Sequence, residues 1–295
     1  MMPLDVCVVG SANLDLVAFV ERPPRPGETL LASGYFEAAG GKGLNQAVAA
    51  ARSGARTALV ARLGDDVAGQ TLFDVMTADG IDVSGVSRTD IPTGRAMIAV
   101  GADGENSIVV VPGANASLGT DVIGVHGPAI ARAAVLLAQL EVPLESVIAA
   151  FEVARAVGGT TVLNPAPART LPRELLRLVD VIVPNEHEAE LLGGAIHLVR
   201  SGVSVVVVTE GARGARLVTS AGETRIAPFP VTPVDTTGAG DTFCGAFAAR
   251  LAAGAPLDRA LGWAAAAGAL ATTVSGAVPS IPNAARIGAL LAGDA

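Results

Sequence analysis

With 295 residues, of which 51% are hydrophobic, the chain is long and apolar enough to fold around a large buried core. Its net charge of −8 offers no basic surface for nucleic acid or anionic lipid, so the expected partners are small molecules, without nucleic acid or membrane. The 2 cysteines, Cys7 and Cys244, lie far apart in apolar segments, which favours reduced thiols and a cytoplasmic location over a disulfide or metal site.

Apolar segments rich in β-branched residues recur along the chain and predict the strands of one sheet. They cover residues 6–9, 57–63, 134–140, 160–163, 179–183 and 203–208. Helical patterns separate most of them, at residues 44–53, 144–157 and 172–178, and the chain after Asp241 is almost wholly helical in pattern. This alternation is typical of a doubly wound α/β fold, in which a mostly parallel central sheet is flanked by helices on both faces.

Four further strand patterns near the amino terminus have no helices between them. They lie at residues 15–20, 29–36, 95–100 and 107–111, and Asp103-Gly104 between the last two is a strong hairpin-turn signal. We expect a small antiparallel β lid, formed by segments near residues 15–36 and 95–111, within one domain that covers residues 1–295.

Neither a signal peptide nor a membrane helix is expected. The amino terminus lacks a basic segment, and its first apolar stretch ends at Gly10. The uncharged run at residues 260–280 is mostly Ala, Gly, Thr and Ser rather than Leu, Ile and Phe. We therefore expect a buried, closely packed helix in this run.

The strongest chemical signal is the sequence DTTGAGD at residues 235–241, which opens directly into an apolar helix. Such a junction presents unpaired backbone N–H groups and the positive end of the helix dipole to an anion. Gly238, Ala239 and Gly240 would supply these groups, and Asp241 could take the proton from an attacking hydroxyl. The pattern indicates phosphoryl transfer, and its plain alternative is an aspartate that merely follows a turn at a helix start.

Two common nucleotide-binding motifs are excluded. A Walker A loop needs Ser or Thr after Gly-Lys, whereas Lys42, the only lysine of the chain, precedes Gly43. A dinucleotide fingerprint needs G-x-G-x-x-G after the first strand, and residues 10–15 read GSANLD. The chain is therefore expected to be neither a P-loop NTPase nor a hydride-transfer enzyme.

Several motifs together resemble those of the ribokinase family of carbohydrate kinases. They are GSANLD at 10–15, GGKGLNQA at 40–47, QLE at 139–141, NPAPA at 164–168, PNEHEAE at 184–190, TEG at 209–211 and DTTGAGD at 235–241. The resemblance extends over nearly the whole chain and implies ATP-dependent phosphorylation of D-ribose to D-ribose 5-phosphate. A kinase for another sugar or nucleoside, such as fructose, ketodeoxygluconate or adenosine, stays open, as does a sugar-binding regulator without turnover.

The resemblance also implies the residues that hold the sugar. They are Asn13, Asp15, Gly41, Lys42, Asn45, Glu141 and Asp241. Amides and carboxylates suit this task, because each sugar hydroxyl both donates and accepts a hydrogen bond. The plain alternatives are a turn for Asp15, a helix cap for Asn45 and an exposed loop charge for Glu141.

For the nucleotide, the resemblance implies that Asn185 and Glu188 organise Mg²⁺ and the phosphates of ATP, largely through waters. Their plain alternative is a helix cap with an acidic first turn. The ATP site would be lined by Thr209, Gly211, Gly214 and Gly240. Near Trp263, alanine occupies a position where the family often has a larger polar side chain, so looser contacts with the base are expected.

Two further expectations follow from the resemblance. A K⁺ ion would be held near Asp235, Thr237, Val274, Gly276 and Ser280 and would shape the anion-binding loop. The lid strands are apolar on both faces, so one face would cover the sugar and the other would form a homodimer. A loop at residues 21–28 that folds over the second face is the monomeric alternative.

Overall fold

The computed structural model describes residues 4–103 and 106–293. Its strands are β1 (Leu4–Val9), β2 (Asn13–Phe19), β3 (Gly34–Gly40), β4 (Thr57–Gly64), β5 (Asp82–Thr89), β6 (Gly94–Val100), β7 (Asn106–Val111), β8 (Ala133–Ala138), β9 (Thr160–Leu163), β10 (Val181–Ile182), β11 (Val205–Thr209), β12 (Ala215–Thr219) and β13 (Gly222–Ile226). Its α-helices are α1 (Lys42–Arg52), α2 (Val67–Ala78), α3 (Thr120–Ile130), α4 (Leu144–Ala156), α5 (Arg173–Leu176), α6 (Glu186–Leu191), α7 (Ala195–Arg200), α8 (Ala239–Ala252), α9 (Leu257–Ala271), α10 (Ala277–Ser280) and α11 (Ala284–Ala292). Gly104 of the expected hairpin turn lies outside the described residues.

The central sheet has nine strands in the order β5-β4-β1-β8-β9-β10-β11-β12-β13. Neighbours from β5 to β11 are parallel, and β12 and β13 add an antiparallel hairpin at one edge. In β1, Val6 and Val8 belong to one apolar core, whereas Cys7 and Val9 belong to a second core. Because successive side chains of a strand point to opposite faces, both faces must be covered, and the expected doubly wound α/β fold is confirmed.

A second, smaller sheet has the order β3-β2-β6-β7. Its outer pairs are antiparallel, as expected, whereas the central pair of β2 and β6 is parallel. The register places Asn13 between Gly40 and Gly94. This end of the small sheet therefore lies where β3 leads into α1.

The strand predicted at residues 29–36 is wrong in its bounds, because β3 begins at Gly34 and continues to Gly40. β2 ends at Phe19, whose partner in the register is Gly34, so residues 29–33 have no strand to pair with. The sequence patterns also missed β5, β12 and β13. These strands lie at or next to the edges of the central sheet, where polar residues interrupt the apolar runs.

The uncharged run at residues 260–280 is not one helix, since α9 ends at Ala271 and a turn leads into α10. Most of its alanines are buried as expected, with Ala260 and Ala264 among the core residues. Among the described residues, no helix has both the length and the hydropathy needed to cross a bilayer.

Gly245 determines how closely α1 and α8 approach each other. A Cβ at this position would lie 2.2 Å from the carbonyl oxygen of Gln46, so only glycine fits the crossing. The crossing brings the first turns of the two helices, and the polar residues on them, to one place.

Candidate active site

The motifs at residues 10–15 and 40–47 meet at the amino terminus of α1. Gly41 has a φ of +92°, which favours glycine, and a Cβ there would lie 2.7 Å from the backbone nitrogen of Asn13. The Leu44 N–H donates to the Ser11 carbonyl oxygen at 2.8 Å, and the Gly43 N–H donates to Ser11 Oγ at 3.3 Å. The loop after β1 is therefore fixed against the first turn of α1.

Glu141 joins this cluster from the loop after β8. Its Oε2 accepts hydrogen bonds from Ser11 Oγ at 2.5 Å and from the Lys42 backbone N–H at 3.2 Å. The carboxylate of Asp241 raises the pKa of Lys42 and outweighs burial, and Glu141 and Glu188 add to this effect. Glu141 is thus not an exposed loop charge, and the one lysine of the chain lies among three carboxylates.

Asp15 lies on β2 against the backbone of Gly40, where an added Cβ would be 2.2 Å from Asp15 Oδ2. Burial raises the pKa of Asp15 to about 7, and the charges of Glu141 and Asp241 contribute to the rise. Within the described chain, neither oxygen of this carboxylate accepts a hydrogen bond. Asp15 therefore carries unused acceptor capacity that faces two other acids.

The sequence motifs did not include Asn115, which orients the amide of Asn13. Asn115 is 1% exposed, and its Nδ2 donates to Asn13 Oδ1 at 2.7 Å. Because the oxygen of Asn13 is already paired, its Nδ2 is left to donate to a ligand. No sequence signal beyond an asparagine shortly after β7 pointed to this residue.

Asp241 lies in the first turn of α8 and is 7% exposed. Its Oδ2 accepts a hydrogen bond from Asn45 Nδ2 at 3.0 Å, and its Oδ1 accepts one from Gln46 Nε2 at 2.9 Å. Asn45 is inside α1 and is not a cap, and its Oδ1 is buried without a partner in the described chain. Such an unpaired acceptor is costly unless a ligand hydroxyl satisfies it.

The amino terminus of α8 presents backbone N–H groups at the residues where the sequence analysis placed an anion site. Gly238 caps the helix with a φ of +75°, and nothing lies within 4 Å of a Cβ placed on Gly240. One of the three expected donors is engaged internally, since the Ala239 N–H donates to the Thr236 carbonyl oxygen at 3.2 Å. In the described chain, the N–H groups of Gly238, Gly240 and Asp241 have no backbone acceptor, so they remain open to a ligand.

Two adjoining cavities extend from this helix terminus. The larger, of about 430 Å³, lies between the strand end at Thr209 and helix α9, and it is lined mainly by apolar residues, among them Pro228, Phe229 and Ala265. The smaller, of about 120 Å³, is polar and contains Lys42, Asn185, Glu188 and Asp241. Thr209 and Gly240 line both cavities, and Gly211 and Gly214 line the larger one. The pair suits a ligand with an apolar ring and a charged tail.

Asn185 and Glu188 form a capping box at the start of α6. Glu188 Oε2 accepts from the Asn185 N–H and Asn185 Oδ1 accepts from the Glu188 N–H, each at 2.8 Å. Burial raises the pKa of Glu188 although the hydrogen bond from Asn185 opposes it. The helix cap given above as the plain alternative is therefore present. Both residues also line the polar cavity, so the cap does not exclude a role in binding.

Asp235 links the loop before α8 to the loop before α10. Its two oxygens accept hydrogen bonds from the Thr237 N–H at 2.9 Å and from the Gly276 N–H at 2.8 Å, and these bonds lower its pKa against the effect of burial. Ser280 is buried, and its hydroxyl donates to the Ala277 carbonyl oxygen at 2.7 Å. The loop that carries Val274 and Gly276 thus lies beside the turn before α8.

A doubly wound sheet with two adjoining cavities, free N–H groups at a helix terminus and a buried aspartate suits phosphoryl transfer from a nucleotide. The model of the pfkB family of carbohydrate kinases matches residues 3–284. The chain belongs to the pfkB carbohydrate kinase family, as the motifs indicated.

Individual relatives agree with this assignment. A ribokinase from Haemophilus influenzae is 42% identical over 290 residues, covering 94% of each chain. The structure of Arabidopsis thaliana ribokinase complexed with ribose and ATP has a TM-score of 0.90 and 33% identity, and covers 98% of this chain and 99% of that one. A bifunctional ribokinase/ribose-5-phosphate isomerase A from Fructilactobacillus sanfranciscensis is 42% identical over 94% of this chain. The chain spans about half, 54%, of the length of that bifunctional relative.

Proposed function

We propose that this carbohydrate kinase transfers the γ-phosphoryl group of ATP to the 5-hydroxyl of D-ribose, giving D-ribose 5-phosphate and ADP. The observation that carries the proposal is the position of Asp241. Its carboxylate is bonded to the sugar-side residue Asn45 and also lines the polar nucleotide cavity. The ribokinases among its relatives, one of them described with ribose and ATP, favour ribose as the sugar.

On the sugar side, donors and acceptors are available in the pairs that a polyol needs. Asp15 and the unpaired Asn45 Oδ1 would accept from hydroxyls, and Asn13 Nδ2 would donate. Glu141 would hold the sugar from the opposite loop together with the backbone at Gly41. A hydroxyl missing from the ligand would leave one of these buried groups unpaired, at a cost of about 1–3 kcal/mol.

At the reacting centre, Asp241 would take the proton of the 5-hydroxyl as that oxygen attacks phosphorus. The open N–H groups of Gly238 and Gly240, with the Lys42 ammonium, would stabilise the charge on the transferring phosphoryl group. Ala239 would contribute through the helix dipole, because its own N–H is engaged. Positioning and electrostatics would supply most of the rate enhancement.

The larger cavity would take the adenosine part of ATP between Thr209, Gly211 and Gly214 on one side and α9 on the other. Ala265 lines it where a polar side chain would contact the base, which supports the expected looser recognition of adenine. The phosphates would then extend through the smaller cavity toward Asp241.

Mg²⁺ fits the polar cavity, where it would neutralise phosphate charge. Among the described residues, no three acidic, His or Cys side chains are grouped as a metal site. One oxygen of Glu188 and the oxygen of Asn185 are already hydrogen-bonded, so few direct ligands remain. This donor set suits an ion that keeps its waters and binds mainly through substrate phosphates.

K⁺ fits the Asp235 region because hard oxygen atoms are grouped there. The carboxylate of Asp235, the hydroxyl of Ser280 and backbone carbonyls of the loop at residues 274–280, with Thr237 nearby, are hard oxygen ligands. Gly238 lies against Ala277, where an added Cβ would be 3.2 Å from the Ala277 backbone. An ion in this loop would therefore act on the anion-binding turn without touching the substrate.

The small sheet would serve as the lid over the sugar and as the interface of a homodimer. On β7, Ile108 is 52% exposed and Val109 is 61% exposed, so this edge strand has apolar residues in solvent on both faces. The loop at residues 21–28 is itself exposed and leaves these side chains uncovered. A second copy of the lid would bury them.

The proposed function is tested by coupled measurement of ADP release with D-ribose, 2-deoxy-D-ribose, D-fructose, ketodeoxygluconate and adenosine. We expect the highest kcat/KM for D-ribose. Preference for another compound would reject ribose and keep the kinase, whereas sugar binding without ADP release would support a regulator. Asp241 argues against the regulator, because a protein that only binds sugar needs no base.

A further inference from the structure

A chain of buried side-chain amides connects Asp241 to the central sheet, and the proposed reaction leaves it without a role. Gln46 and Gln139 are both 0% exposed and Asn164 is 8% exposed. Gln46 Nε2 donates to Asp241 Oδ1 at 2.9 Å and to Asn164 Oδ1 at 3.0 Å. Gln139 Nε2 donates to Gln46 Oε1 at 2.6 Å. Burying three amides is expensive unless their arrangement is needed.

A backbone carbonyl sets the direction of the hydrogen bond between Gln46 and Asn164. Asn164 Nδ2 donates to the Val183 carbonyl oxygen at 2.9 Å, so the Asn164 oxygen must face Gln46. Gln46 then has an acceptor on the side of Asn164 and a donor, Gln139, on its other side. Its Nε2 can therefore only point toward Asn164 and Asp241. The amide is held as a donor to the carboxylate and cannot rotate to offer its oxygen.

Gln46 lies behind the reacting centre. It has no exposed surface and does not line the polar cavity, whereas its neighbour Asn45 carries the unpaired oxygen of the sugar side. The two oxygens of Asp241 thus have different partners, with Asn45 on Oδ2 and Gln46 on Oδ1. A group in this place does not touch the cavity itself, and its contact with the reacting centre is the hydrogen bond to Asp241.

We propose that Gln46 is a positioning residue that fixes the rotation of the Asp241 carboxylate, with Gln139 and Asn164 holding Gln46 in place. This inference rests on the proposed function, since it assumes that Asp241 is the base. A carboxylate that rotates by tens of degrees loses its alignment with the attacking hydroxyl, and small misplacements of this kind reduce rates strongly.

Other charged and titratable groups also act on Asp241 and must be kept constant in the test. Lys42 faces it from α1 and Glu188 from α6, and Cys244 lies one turn further along α8. Asp15 and Glu141 approach from the sugar side. None of these residues is changed in the variants below.

The test measures kcat, the KM for the sugar and the kcat–pH profile of Gln46→Leu and Gln46→Glu. We expect kcat to fall by about 10- to 100-fold while the KM changes less than about threefold. We also expect the acid limb of the profile to move to higher pH, further for Gln46→Glu than for Gln46→Leu, because a second carboxylate opposes ionisation of the first. A merely structural role would not move the acid limb.

Gln70→Glu is the matched control. Gln70 also donates from its Nε2 to an aspartate, Asp74 Oδ1 at 2.8 Å, but on the exposed face of α2. The Gln70→Glu variant should leave kcat and the kcat–pH profile unchanged. Gln139→Met is a second, milder variant in case the Gln46 variants do not fold, and we expect a kcat decrease of about 3- to 10-fold with the KM retained.

The outcomes separate the inference from the proposed function. A wild-type enzyme that turns over a sugar, with variants that keep its kcat or its acid limb, overturns the role of Gln46 alone. A wild-type protein without any sugar-dependent ADP release overturns both.

Discussion

Asn45 and Asp241 are 196 positions apart in the chain, and a hydrogen bond of 3.0 Å from Asn45 Nδ2 to Asp241 Oδ2 joins them. Asn45 belongs to α1, whose motif is proposed to hold the sugar, and Asp241 lies in the first turn of α8, which follows the turn proposed to bind phosphate. The close crossing at Gly245 makes this contact possible. The bond therefore marks the place where the acceptor hydroxyl and the phosphoryl group would meet.

Asp241→Asn keeps the shape of the side chain and removes the base. We expect kcat to fall by about two to four orders of magnitude, while calorimetry shows ribose binding within a few-fold of wild type. Asp74→Asn on the exposed face of α2 is the control and should change neither kcat nor ribose binding. An unchanged kcat would reject the role of Asp241 as base.

The raised pKa of Asp15 leads us to expect that sugar binding depends on pH. Its pKa of about 7 means that the acceptor form is lost as the pH falls through neutrality. Calorimetry at pH 8 and pH 6 should therefore show ribose binding about five- to tenfold weaker at the lower pH. Asp15→Asn should bind weakly at both values, and equal affinities for the wild type at the two pH values would contradict the prediction.

For Asp15 we also expect a pH dependence of the free energy of unfolding, opposite in direction to that of sugar binding. Because the pKa of Asp15 in the folded protein is above its ordinary value of 3.8, the folded chain binds more protons than the unfolded chain between about pH 4 and pH 7. The contribution of Asp15 to the free energy of unfolding thus decreases as the pH rises through 7. Without ligand at pH 8, Asp15→Asn should melt at a higher temperature, by about 2–4 °C for each kcal/mol relieved. A lower melting temperature at pH 8 would show that the ionised carboxylate stabilises the fold.

The loop at Asp235 predicts activation by a monovalent cation. Activity in potassium-free buffer should be low, and K⁺ should restore it better than Na⁺. Asp235→Ala removes the acceptor for the Thr237 and Gly276 N–H groups, so it should abolish the response to K⁺. Full activity of the wild type without potassium would refute the site.

The lid predicts a symmetric dimer at micromolar concentration. Ile108→Asp places a charge in the proposed interface and should give a monomer mass by light scattering. Ile196→Asp is the matched control, because Ile196 is 61% exposed on α7, away from the small sheet, and its variant should remain dimeric. A monomeric wild type would reject the dimer, and a dimer that survives Ile108→Asp would reject this interface.

Much of the fold could be predicted because the central strands are buried on both faces. β8 and β11 are nearly continuous apolar runs, and β1 and β4 are apolar apart from one charged residue each, so they can be recognised without knowledge of their partners. The edge strands β5 and β13 could not be recognised in this way, since polar residues interrupt their apolar pattern. The bounds of β3 depend on where β2 ends, which is a fact of pairing and not of composition.

In the candidate site too, residues with a local sequence pattern could be predicted and residues without one could not. Residues in glycine-rich motifs, such as Gly41 and Gly238, could be found because their backbone conformation restricts the sequence locally. The partners that orient the site could not be assigned their roles, because Asn115 lies in none of the motifs and Asn164, although within one, acts through a hydrogen bond across a long separation in the chain. A buried asparagine has no local pattern that distinguishes it from one in a turn.

The most direct test of the central claim follows the phosphoryl group itself. Purified protein is incubated with ATP labelled at the γ-phosphorus and with D-ribose or 5-deoxy-D-ribose, which differ only in the proposed acceptor hydroxyl. We expect labelled D-ribose 5-phosphate in amounts equal to the ADP formed, and no labelled sugar from 5-deoxy-D-ribose. Label on another hydroxyl of ribose, or label transferred to 5-deoxy-D-ribose, would contradict the placement of the 5-hydroxyl beside Asp241.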